Sequence, residues 1–151
     1  MAFPSNVGTQ QQNLDFVWNQ IRAIVTNIKQ TTASVSVSVG AGCTSDVILN
    51  YLAFLVNNKN QLDKLTATPG IAQFAQAQIS NPSFDVVGQY NLMATAIVNT
   101  GTWIVGNFPA TGGFIQPSSF NADGSLTYRP FTAVALAPLL ALMNALLATI
   151  D

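Results

Sequence analysis

Cys43 and Asp46, three residues apart in GAGCTSD, are the nearest this sequence comes to a reactive or metal-ligating pair. On a helix, positions i and i+3 share a face, so thiol and carboxylate could reach one ion. A structural metal site needs about four such ligands, and the chain contains no histidine to complete it. For the same reason Cys43 has no imidazole to activate it as a nucleophile, and as a lone cysteine it forms no intramolecular disulfide. The six acidic side chains are all aspartates, at 15, 46, 63, 85, 123 and 151, spaced 17 to 38 residues apart along the chain. Each has a simple assignment as helix cap, turn residue or solvated group, so no general acid/base pair is implied. VGAGCTSD has glycines but neither GxGxxG nor GxxxxGK[ST], the spacings that cradle phosphates. Lys59 and Lys64 read as exposed helix residues rather than as bases for a serine. The expectation is no enzyme, no cofactor and no metal.

The composition points elsewhere. Only 7% of the 151 residues are charged and the net charge is −1, against about 25% charged residues in an ordinary soluble domain. Gln, Asn, Thr and Ser carry the polar share. So little repulsion favours self-association, which suits a subunit that buries its surface against copies of itself. Five scattered cations, Arg22, Lys29, Lys59, Lys64 and Arg129, make no phosphate-tracking stripe, so sequence-specific nucleic-acid binding is not expected. The start, MAFPSNVGTQQQ, lacks a basic region followed by an apolar run, so no secretory signal is read there. Synthesis in a reducing cytoplasm is expected.

The elements follow from periodicity. Residues 1–10 read as an extended arm. Leu14, Val17, Trp18, Ile21, Ile24, Val25 and Ile28 lie on one helical face, predicting a helix over about 10–32. In SVSVSV the alternation of Ser34, Ser36 and Ser38 with Val35, Val37 and Val39 has strand period, while Ala33 and Val37, and Val35 and Val39, lie four apart and could extend the first helix; of the two, 33–43 is read as a frayed helix end passing into extended chain. Ser45 is the expected N-cap of a second helix, with Ile48, Tyr51, Leu52, Leu55, Lys59 and Leu62 on one stripe. Thr68-Pro69-Gly70 ends it. A short helix is expected at 71–79. A long one capped by Ser83 follows, with Val86, Val87, Tyr90, Met93, Ala94, Ile97 and Val98 facing inward. Pro109 closes it.

Residues 112–130 read as a β-hairpin. Asp123-Gly124 supplies a type I′ turn, and Pro117 interrupts the first arm. A lone hairpin is marginal in water, so it needs a surface, in its own subunit or a neighbour. Phe114, Ile115, Phe120, Tyr128 and Arg129 are the candidate subunit-interface residues, because aromatics and Arg are enriched where subunits meet. The last segment, 131–150, has twenty residues without a charge. That length could span a membrane. It is rich in Ala, contains Pro138 and Asn144, and lacks flanking clusters of Lys or Arg, which favours a buried or interface helix. Pro130 is read as its first-turn proline and Pro138 as a kink or a break.

The reading is a single mainly α domain over 1–151: a bundle of four main helices plus one short helix, with a β-hairpin inserted before the last helix. In size, composition and element order this layout resembles small structural proteins of tailed-bacteriophage virions, most closely the head–tail connector (adaptor) family. The resemblance implies a homo-oligomeric ring in the virion neck, assembled in the host cytoplasm, whose partners are portal and tail proteins. It also implies that the hairpin contacts a neighbouring subunit or ring. The alternatives are a holin-like pore former spanning with 131–150, and another capsid or tail component.

Overall fold

A computed structural model describes residues 10–108 and 131–150, together with the backbone of two short strands. The order is α1 (Gln10–Ala41), α2 (Ser45–Thr66), α3 (Ile71–Gln78), α4 (Val86–Asn107), β1 (Pro117–Phe120), β2 (Leu126–Tyr128) and α5 (Ala137–Ile150). The chain is mainly helical. α1 packs on α2 and α5, and α4 packs on the same two, so α2 and α5 stand at opposite corners of a four-helix arrangement with α3 beside α1 and α4.

One spacing runs through all four long helices. Buried residues recur at alternating intervals of three and four: Ile48, Tyr51, Leu55, Asn58 and Leu62 on α2; Met93, Ile97, Thr100 and Ile104 on α4; Leu136, Leu139, Met143 and Leu146 along α5 and the turn before it. This is the seam of helices packed nearly parallel or antiparallel, side chains of one in the gaps of the next. Three seam positions are polar, and each is satisfied locally. Asn58 Nδ2 donates to the Phe54 carbonyl at 2.7 Å and the Thr100 hydroxyl to the Ala96 carbonyl at 2.8 Å. The Thr32 and Tyr51 hydroxyls bond each other at 2.7 Å in the core.

The structure corrects the reading of 33–43, because α1 stays helical to Ala41. Its seam explains why: Leu14, Trp18, Ile21, Val25, Ile28, Thr32, Val35 and Val39 are spaced four and three without interruption, and all are buried or half-buried. The valines therefore meet the core at helical period, and tertiary packing overrides their weak helix propensity. Ser36 donates its hydroxyl to the Ala33 carbonyl at 2.7 Å, which removes its competition for other backbone groups. The helix ends at Gly42, whose φ of +88° reverses the chain, and its N–H returns to the Val39 carbonyl at 3.1 Å. Cys43 then pairs with Phe131 in an isolated antiparallel bridge, the Phe131 N–H donating to the Cys43 carbonyl at 2.7 Å.

Three boundaries also differ from expectation. Thr44, not Ser45, holds the N-cap position of α2, and its hydroxyl bonds the Asp46 carboxylate rather than the helix backbone. Ser45 is instead buried in the first turn. Ser83 does not cap α4. That helix begins at Val86, whose N–H donates to the Gln76 Oε1 at 2.9 Å while Gln76 Nε2 donates to the Phe84 carbonyl. A side chain of α3 thus satisfies the orphan donor that a local cap would serve. The last helix starts at Ala137 rather than after Pro130. Pro138 accordingly sits in the first turn, where its missing N–H costs nothing, so of the two readings it marks a break in 131–150 rather than a kink.

Of the hairpin expected at 112–130, only the backbone of β1 and β2 is described, paired antiparallel with Phe120 opposite Leu126. Its turn, its other residues and its place against the helices lie outside the described residues, as do residues 1–9 of the arm expected over 1–10 and the role of Pro109; Gln10 already opens α1.

Candidate subunit interface

Cys43, Lys59, Asp63 and Asp15 have ordinary structural settings. Cys43 is buried, and burial, then the Asp46 carboxylate, pushes its thiol above the usual range, away from the reactive thiolate. Lys59 and Asp63 form an exposed i,i+4 ion pair at 3.0 Å, of a kind worth a few tenths of a kcal/mol. Asp15 accepts from Asn19 one helical turn on. Among the described residues no group of three His, Cys, Asp or Glu could hold a metal ion.

Two tyrosines are perturbed. Burial pushes the Tyr51 phenol up to about 12, with the Thr32 hydroxyl bond acting in the opposite direction. Burial likewise raises Tyr90. Its hydroxyl is enclosed and makes no hydrogen bond among the described residues. The nearby Thr66 hydroxyl is already engaged, donating to the Leu62 carbonyl at 2.8 Å.

The feature that stands out is α4. Its 22 residues, VVGQYNLMATAIVNTGTWIVGN, contain no charge. The expected inward set was Val86, Val87, Tyr90, Met93, Ala94, Ile97 and Val98; the structure divides it. Met93 and Ile97 are buried, and Val86, Tyr90 and Ala94 are half-buried. Val87 and Val98 face outward, 47% and 49% exposed, and Val105 joins them at 59%. The inner line Val86, Tyr90, Met93, Ile97, Thr100, Ile104 is shadowed, one residue later at each step, by Val87, Asn91, Ala94, Val98, Gly101, Val105. Both lines have the spacing of a packing seam; the described residues cover the first and leave Val87, Asn91, Val98 and Val105 of the second exposed.

The C-terminal part of the outer line, Val98, Gly101 and Val105, borders α2. Together they form an open groove of about 510 Å³, mostly apolar but with Lys59, Asn60 and Thr102 in its lining. Leu52, Leu55, Ile97 and Gly101 line its depth, and Val56 on α2, 51% exposed, stands with Val98 and Val105 at its edge. Gly101 keeps the floor low: a Cβ there would rest 3.6 Å from Leu52 Cδ1. At the far corner α5 buries Leu139, Met143 and Leu146 and exposes Ala137, Ala141, Asn144, Ala145 and Ala148, also without a charge.

The candidate interface residues read from the sequence, Phe114, Ile115, Phe120, Tyr128 and Arg129, have side chains outside the described residues, so the structure neither assembles nor separates them. The outer face of α4 went unread because Val87 and Val98 were assigned inward together with Val86 and Ile97, and Val105 was given no side. The available signal was the width of its apolar arc, together with the absence of any charge to mark an outer side. Comparison with protein-family models, curated proteins and solved structures finds no match to this chain.

Proposed function

We propose that this chain is a non-enzymatic structural subunit of a phage virion, a ring-forming head–tail connector or adaptor at the neck that meets portal and tail proteins. The observation that carries the self-assembling part of this reading is the outer seam of α4. Along about 27 Å of charge-free helix, 18 steps of 1.5 Å from Val87 to Val105, Val87, Val98 and Val105 stand exposed among the described residues, in a chain with a net charge of −1. Apolar patches of this extent mark interaction surfaces in soluble proteins. The neck assignment rests on size, composition and element order. In this reading the hairpin before α5 adds a contact to a neighbouring subunit or ring, through Phe114, Ile115, Phe120, Tyr128 and Arg129.

The pore-forming alternative loses its main support. The uncharged segment 131–150 is not one helix; α5 covers 14 residues, about 21 Å against a hydrocarbon core of about 30 Å. Among the described residues no helix is long and apolar enough to cross a membrane. Electron microscopy of the purified protein tests the proposal: rings of uniform diameter with a central opening are expected, and monodisperse particles without one would overturn it.

A further inference from the structure

We draw no further inference here: the strongest candidate, the cleft of about 250 Å³ that Trp18, Ile71, Val86 and Tyr90 line between α1, α3 and α4, carries nothing, because the Tyr90 hydroxyl, which makes no hydrogen bond among the described residues, is enclosed rather than offered to a ligand and nothing in the structure shows what covers the cleft.

Discussion

Replacing Gly42 with Ala tests how α1 ends. Gly42 has a φ of +88°, a conformation costing an L-residue about 1–2 kcal/mol. The added Cβ would also stand 2.6 Å from the Phe131 carbonyl oxygen, with Thr132 and Ala133 backbone atoms at 3.5 Å. These are backbone atoms and cannot rotate away, so the segment entering α5 must move. Moving it strains the Phe131 N–H bond to the Cys43 carbonyl, worth about 1 kcal/mol. It also disturbs the edge contact of the Phe131 ring on Phe108, at 5.2 Å between centroids, worth about 0.5–1 kcal/mol. The expected loss is about 2–4 kcal/mol, read as a lower urea midpoint at unchanged slope. Gly101→Ala is the internal comparison. Gly101 lies mid-helix, and its new Cβ would be in ordinary contact with Leu52, so relief of the glycine penalty should raise stability by about 0.5–1 kcal/mol. A Gly42→Ala protein within about 0.5 kcal/mol of the parent would refute the reasoning, because 33–41 need not then be helical up to a left-handed turn.

Leu139→Ala should cost about 2–5 kcal/mol in urea denaturation, since Leu139 is wholly buried; Ala141→Ser on the outer face should change single-chain stability by less than about 0.5 kcal/mol. Thr32→Val should cost about 1–3 kcal/mol by leaving the Tyr51 hydroxyl unpaired, and Tyr51→Phe in addition should cost less than the sum of the single changes, the coupling a double-mutant cycle measures. Tyr51 also sets an alkaline limit. Its phenol is held up to about 12 in the folded chain, so above pH about 10 the unfolded state loses that proton first and stability falls as pH rises, by about 2–3 kcal/mol by pH about 12. Unfolding midpoints that stay constant from pH 9 to 11.5 would contradict this burial.

Much of the fold was legible because the bundle is built on periodicity. The stripes of α1 and α2 name most of their buried residues directly, and Thr68-Pro69-Gly70 and Asn81-Pro82 bracket α3. The misreadings share a cause: two local signals of equal strength, decided by contacts distant in sequence. Val35, Val37 and Val39 fit a strand, yet Val35 and Val39 also continue the α1 seam. Pro130 and Pro138 both suit a helix start, and the turn over 133–136 selects the second. At α4 the cap comes from Gln76, which no pattern near Ser83 could indicate. The outer seam was hidden for a related reason. Val86 and Val87, or Ile97 and Val98, are equivalent in sequence, and only the positions of α2 and α5 determine which member of each pair is covered.

The central claim is that a charge-poor chain with an uncovered seam on α4 is a subunit of a closed assembly. Light scattering after gel filtration, on recombinant protein in detergent-free buffer, addresses it most directly. The account predicts a discrete particle with a mass many times the 16.0 kDa of one chain. A species of single-chain mass at every concentration, or protein recovered only with detergent, would contradict it.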